Sequence, residues 1–264
     1  MANEREERLT RILDMLLSEQ SEYSALAIPV SLAGQQKLMR ALLNVRPPRP
    51  VSREFLELQD EELQEQLRDK GTVCPEKLPA CRRDGRYRIW QGDITRLKVD
   101  AVTNAANSRL LGCFVPLHGC IDNAIHSAAG VQLRLECHRI MEEQGHPEPT
   151  GRAKITPGYN LPSSYVLHTV GPIIPDGKPT QEQRALLADC YTSCLELADS
   201  RGLHSLAFCC ISTGEFRFPR RLAAETALHA ADDYFRKHGD SGISTVIFNV
   251  FKDEDYRIYS ELLG

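Results

Sequence analysis

Residues 101–130 read AVTNAANSRLLGCFVPLHGCIDNAIHSAAG. Ala101 to Asn104 has the length and apolar character of a buried strand, and Asn104 and Asn107 close it among small residues. Gly112 to Cys120 is a loop punctuated by Gly and Pro that carries two Cys and one His. From Ile121 a helical pattern runs on to Glu143. Strand, loop and helix in this order make a βα unit. In sheets built from such units, ligands sit beyond the carboxyl ends of the strands.

Working outward, the same alternation recurs. Tyr87 to Trp90, Ala153 to Thr156, Tyr165 to Val170, Leu206 to Ile211 and Val246 to Val250 read as strands. Helical patterns cover Gln181 to Ser200, Arg220 to Lys237 and a short stretch after Asp253. Several strands are nearly continuous apolar runs, as in a sheet covered on both faces. The fold class is therefore α/β, a three-layer α/β/α domain over residues 85–264.

Residues 1–84 differ. Leu9, Ile12, Leu13, Leu16 and Leu17 follow amphipathic-helix spacing. A second helix covers Gln35 to Leu43 and stops at Arg46-Pro47-Pro48-Arg49-Pro50. Ser52 caps a third, through Phe55, Leu56, Leu58, Leu63 and Leu67. We read this as an N-terminal helical extension packed on the main domain, followed by a linker from Gly71 to Asp84.

The chain has 264 residues, 42% hydrophobic and 26% charged, enough to bury a full core without a disulfide scaffold. Its formal net charge of −4 argues against general nucleic-acid binding by phosphate neutralisation. The charged N-terminus shows no secretory signal, and no apolar run is long enough to span a membrane, so a cytoplasmic location is expected. In that setting the nine cysteines are reduced thiols or metal ligands. Cys190 with Cys194, and Cys209 with Cys210, read as core packing. Cys74, Cys81 and Cys137 carry no usable motif.

Four segments carry chemistry, each at or just after a strand end. Gln91-Gly92-Asp93-Ile94-Thr95 is either a plain turn capped by Asp93 or a carboxylate accepting from an adenine amino group. Asn104 and Asn107 offer donor and acceptor to ribose hydroxyls, or bond their own turn. Cys113, His118 and Cys120, spaced C-x4-H-x-C, suit zinc with one position open, or are unrelated loop residues. Ile211 to Pro219 offers small residues and a following helix start, which can cradle a diphosphate. Such loops are common in α/β proteins.

In this order the four segments resemble macrodomains, over about Arg86 to Gly264. Within that family the chain is similar to the zinc-containing bacterial and fungal macrodomains associated with ADP-ribosylation. These carry Cys, His and Cys in this arrangement, and a helical extension that Asn44-Val45-Arg46-Pro47-Pro48 and Leu58-Gln59-Asp60 resemble.

The resemblance implies a mixed central sheet, ADP-ribose as ligand, and an ADP-ribosylated protein as substrate and partner. It implies that Asp93 holds the adenine amino group, that Ile94 lines the base site, and that Asn104 and Asn107 face the distal ribose. Cys113, His118 and Cys120 would bind Zn²⁺ beside that ribose. Ser212, Thr213, Gly214, Glu215 and Phe216 would wrap the diphosphate, with Phe216 also against the ribose. Asn249 and Phe251 would lie on the adenosine side. Asp122, with Asn107, would be catalytic, since related hydrolases of the MacroD type carry an Asp proposed to act there. Arg217 departs from the pattern, because many macrodomains have Gly at that point.

The implied reaction is hydrolysis of mono-ADP-ribose from an Asp or Glu ester, releasing ADP-ribose. Two thiolates formally cancel the Zn²⁺ charge, which favours orienting a ribose oxygen or a water over making hydroxide. Asp122 also has a bland role, as a carboxylate favoured in the first turn of a helix. His126 and His168 read as packed side chains. Three rival functions stay open: an ADP-ribose reader without catalysis, a hydrolase of small derivatives such as O-acetyl-ADP-ribose, and a zinc site that only shapes the loop.

Overall fold

The computed structural model describes residues 2–264, with side chains from Glu4 onward. Three helices open the chain: α1 (Ala2–Ser18), α2 (Leu32–Val45) and α3 (Arg53–Lys70). Ser31 and Ser52 start the second and third, each hydroxyl accepting from the backbone N–H three residues on. Their apolar faces meet in a core of their own, with Leu9, Ile12, Leu13, Met39, Phe55 and Leu63 buried together. Each such side chain contributes roughly 1.5–3 kcal/mol by leaving water. Val131, from the main domain, belongs to this core and ties the two parts together.

Residues beyond the linker form six strands: β1 (Tyr87–Gln91), β2 (Ala101–Ala105), β3 (Ala153–Pro157), β4 (Tyr165–Thr169), β5 (Ser205–Phe208) and β6 (Thr245–Val250). The order is β1-β6-β5-β2-β4-β3, parallel except for β3, which runs antiparallel on its edge. The sheet is thus mixed. The helices are α4 (Ile121–Ala129), α5 (Val131–Gln144), α6 (Gln181–Ser200), α7 (Arg220–Lys237) and α8 (Asp253–Leu263). Alternation along the strands sorts the two faces. Tyr87, Phe208 and Phe248 point to one side, where they meet Tyr191 of α6, Phe235 of α7 and Tyr259 of α8. Asn104 and His168, partners in the β2–β4 register, point to the other, toward α4 and α5.

Two elements differ from the sequence reading. The helix expected from Ile121 to Glu143 is two helices, broken at Gly130, whose φ of 94° closes α4 and starts α5. A Cβ there would come within 2.7 Å of Gln59 Nε2, while Gln59 Oε1 accepts from the Val131 N–H at 2.9 Å. The N-terminal region thus caps the start of α5 at the break. The strand expected to reach Ile211 ends at Phe208. The β2–β5 ladder stops after Val102↔Ala207, and the Cys209 N–H donates instead to Thr103 Oγ1 at 2.9 Å. The two chains part at this point, and Cys209 and Cys210 line the cleft that opens there. Among the described residues no helix is long and apolar enough to cross a membrane.

Candidate functional site

A cleft of about 1350 Å³ lies at the carboxyl ends of the strands and collects all four chemistry-bearing segments. The first is the turn after β1. Asp93 Oδ1 accepts from the Thr95 N–H at 3.1 Å and the Thr95 hydroxyl at 2.7 Å, capping a 3₁₀ turn. Its Oδ2 lies 3.6 Å from Lys70 Nζ at the end of α3. Ile94 is buried and lines the cleft beside it. The Asn249 amide donates to Gly92 O at 3.0 Å and Trp90 O at 3.3 Å, so that Asn249 secures this turn. Phe251 is 75% exposed on the cleft rim.

Asp122, in the first turn of α4, is nearly buried yet lines the cleft. Asn104 Nδ2 donates to its Oδ1 at 2.8 Å, and Asn107 Nδ2 lies 3.4 Å from its Oδ2. Burial pushes the carboxyl up to about 6, against the opposing pull of Asn104 and Arg134. Asn107 also donates to Gly112 O at 3.0 Å, joining Asp122 to the loop that follows. Asn104 departs from its expected place. It is fully buried behind Asp122, outside the cleft lining, because β2 turns it toward α4 and not toward the strand end. His168 packs behind it, Nδ1 at 3.2 Å from Asn104 Nδ2 and Nε2 at 3.0 Å from Thr156 Oγ1. Burial holds this imidazole neutral, at about 3. His126 is likewise buried, with its protonation driven well below the ordinary value by burial.

The ligand atoms of Cys113, His118 and Cys120 lie within 4.8 Å of one another. Cys113 Sγ is 3.5 Å from His118 Nδ1. Bonds of about 2.3 Å to sulfur and 2.05 Å to nitrogen at a tetrahedral angle would separate these atoms by about 3.6 Å, so the donor set fits such an ion. His118 Nε2 lies 3.6 Å from Glu215 Oε1, an exposed carboxylate too far off for a hydrogen bond. Among the described residues no fourth Cys, His or carboxylate joins the group.

The loop after β5 faces this group. Ser212 and Arg217 hold left-handed φ values of 64° and 58°. A glycine would take the second without strain, whereas Arg217 holds it with a Cβ. The N–H groups of Gly214, Glu215 and Phe216 make no hydrogen bond among the described residues, whereas Arg217 and Phe218 donate back to Gly214 O and Ser212 O. Successive free N–H groups lining a cleft form an anion-binding concavity. Phe216 O accepts from the Ile174 N–H at 2.8 Å, which braces the loop.

Sequence left open whether the N-terminal helices cover part of the pocket, and named no residue of the far wall. Gln36, Lys37, Met39, Arg40 and Leu43 of α2, with Leu63, Gln66 and Lys70 of α3, line the same cleft. Nothing local in these helices marks them as site residues; the packing of α2 on α4 and the bonds from Gln132 and Asn160 to Asp60 of α3 bring them there.

The profile of the Macro domain family matches residues 103–227. A "Protein-ADP-ribose hydrolase" of Treponema medium is 50% identical over 98% of this chain and 98% of its own length. One of Staphylococcus aureus (strain MRSA252) is 45% identical over 96% of this chain and 94% of its own. Among solved structures, the Trypanosoma brucei macrodomain in complex with ADP-ribose superposes with a TM-score of 0.66 at 30% identity, covering 85% of this chain and 95% of that one. The chain belongs to the macrodomain family.

Proposed function

We propose that this protein is a hydrolase that removes mono-ADP-ribose from modified protein side chains, with an Asp or Glu ester as the linkage and Zn²⁺ held by Cys113, His118 and Cys120. One observation carries the proposal: a buried carboxylate, fixed by two Asn amides, lines the same cleft as a three-donor set and a loop of free N–H groups. A reader of ADP-ribose needs the loop but neither of the other two. The relatives named protein-ADP-ribose hydrolase, which span nearly the whole chain, support the same reading.

In this scheme the diphosphate sits on the N–H groups of Gly214, Glu215 and Phe216, Phe251 and Ile94 flank the adenine, and Asp93 accepts from its amino group. Water adds at the anomeric carbon of the distal ribose. The bond from that carbon to the ester oxygen breaks, and its electron pair leaves with the protein carboxylate. The water oxygen becomes the anomeric hydroxyl of ADP-ribose. Asp122, held by Asn104 and Asn107, orients the water and takes its proton before passing it to solvent. When bound, zinc supplies a Lewis acid of reduced charge, suited to orienting a ribose oxygen more than to making hydroxide. The cleft exceeds the roughly 300–1,000 Å³ of ordinary small-molecule sites, consistent with a ligand still attached to a protein.

The test is Asp122→Asn, assayed on a carboxyl-linked mono-ADP-ribosylated protein. Release of ADP-ribose should fall about 10²–10⁴-fold, the usual worth of a positioned acid–base group. Affinity for free ADP-ribose should stay within about threefold, since Asn keeps the shape and the contact to Asn104. Unchanged release would remove Asp122 from the mechanism.

A further inference from the structure

The loop that carries the three metal donors is held from outside the main domain. Leu117 has a φ of 57°, a left-handed conformation that costs a residue with a Cβ about 1–2 kcal/mol. Its N–H donates to Asn44 Oδ1 at 2.9 Å. The carbonyl of the next residue, His118 O, accepts from Arg40 Nη2 at 3.3 Å. Arg40 also donates to Asn123 Oδ1, at 2.8 Å from Nη2, and Asn123 Nδ2 in turn donates to Val115 O at 3.1 Å. Asn44 is 1% exposed, and its amide nitrogen donates to Ser127 Oγ at 2.9 Å on α4. Arg40 and Asn44 stand four residues apart on one face of α2, so a single helix holds the backbone of two consecutive residues, Leu117 and the histidine donor.

We propose that α2 of the N-terminal extension sets the conformation of the donor loop, with Asn44 and Arg40 as positioning residues that keep His118 in reach of the two thiols. The inference rests on the zinc reading above and adds to it a function for the N-terminal helices. A loop kept ready for the ion need not be ordered when the ion binds. Without Asn44 the Leu117 N–H loses its acceptor, the left-handed backbone is free to relax, and the imidazole leaves its place beside Cys113. Loss of such outer-shell partners typically weakens metal binding 10–100-fold.

The experiment uses the full chain stripped of metal. Zn²⁺ affinity is measured by competition with a chromophoric chelator, and donor geometry by the absorption of the Co²⁺-loaded form. Asn44→Ala and Arg40→Met should each bind Zn²⁺ 10–100-fold more weakly and show weaker Co²⁺ d–d bands, with the metal-free melting temperature close to native. Ser127→Ala, which leaves the Asn44–Leu117 contact in place, should stay within about threefold of native affinity. If Asn44→Ala does not fold, Arg40→Met still decides, because it keeps the aliphatic stem and removes only the guanidinium. Native-like affinity in the folded variants, with native protein binding Zn²⁺ tightly, overturns the positioning role. So does an equal loss in Ser127→Ala, which would mark a packing effect. A native chain that takes up neither ion overturns the zinc reading itself, and the positioning role with it.

Discussion

Replacing Gly171 by Ala should misplace the diphosphate loop while leaving the fold intact. A Cβ built at Gly171 would stand 2.0 Å from Ser212 Oγ, 2.8 Å from Ile211 Cγ2 and 3.3 Å from Ser212 Cβ. The first clash is cheap, since the hydroxyl can rotate. The second is not, because Ile211 is fully buried and stiff at χ1. That separation falls about 0.7 Å short of the roughly 3.5 Å at which carbons meet comfortably. Residues 211–212 must therefore move outward by several tenths of an ångström, carrying Gly214, Glu215 and Phe216 with them. Three charge-assisted contacts at about 1.5–3 kcal/mol each are at stake, and losing the equivalent of one corresponds to roughly a 10–100-fold rise in the Kd for ADP-ribose. Calorimetric titration would measure it, with a melting curve to show that the fold survives. Native affinity in Gly171→Ala would mean that this loop does not bind the diphosphate.

Other expectations concern separate parts of the molecule. Arg217→Gly should relieve a left-handed backbone and raise unfolding stability by up to about 1 kcal/mol, seen by denaturant titration, without loss of ADP-ribose affinity. Phe251→Ala should weaken ADP-ribose binding by roughly 5–100-fold in the same calorimetric assay, the worth of about 1–3 kcal/mol for a ring stacked on a base; no change would take the adenine away from this rim. Glu62→Ala should cost the N-terminal helices about 1.5–3 kcal/mol by denaturant titration, since it removes the buried carboxylate shared by Arg5 and Arg8, while Arg5 keeps Asp69 and Arg8 keeps Glu61. Burial alone would raise the Glu62 carboxyl, but bonds from Arg5, Gln66, Gln36 and Arg8 outweigh it and hold it below the ordinary value. Its folded pKa is thus depressed, so its stabilisation is present at neutral pH and is lost as pH falls below about 4.3 through the lowered value. An acid titration of melting temperature should show that loss in native protein and not in Glu62→Ala.

Much of the architecture was legible because local patterns and tertiary packing agree. Leu9, Ile12 and Leu13 fall on one helical face and are fully buried, and Ser52 caps the helix its position announces. The apolar runs at Val166–Leu167 and Val246–Ile247 are interior strands. What escaped reading depended on partners distant in sequence. The apolar period of α4 continues into α5, and the cap on the new helix start comes from Gln59, 72 residues before Val131. Apolar character runs through Cys209 and Cys210, so composition could not show that the ladder ends at Phe208. Asn104 follows strand alternation inward, yet that α4 would cover it with Asp122 is not written near either residue. Cys113, His118 and Cys120 stood out as a group because they lie within eight residues, and the structure brings their ligand atoms together; the bonds of Arg40 and Asn44 to the backbone of His118 and Leu117 could not be read there.

The link between metal and hydrolysis comes down to one time course. Native protein, the same protein stripped by a chelator, and the stripped protein reloaded with Zn²⁺ would each be incubated with a carboxyl-linked mono-ADP-ribosylated protein. Released ADP-ribose would be followed alongside circular dichroism of each sample. A zinc-dependent hydrolase gives release in the native form, at least a tenfold loss on stripping with the fold retained, and recovery on reloading. Full release by the stripped, zinc-free protein, or tight ADP-ribose binding with no release from any form, would contradict it.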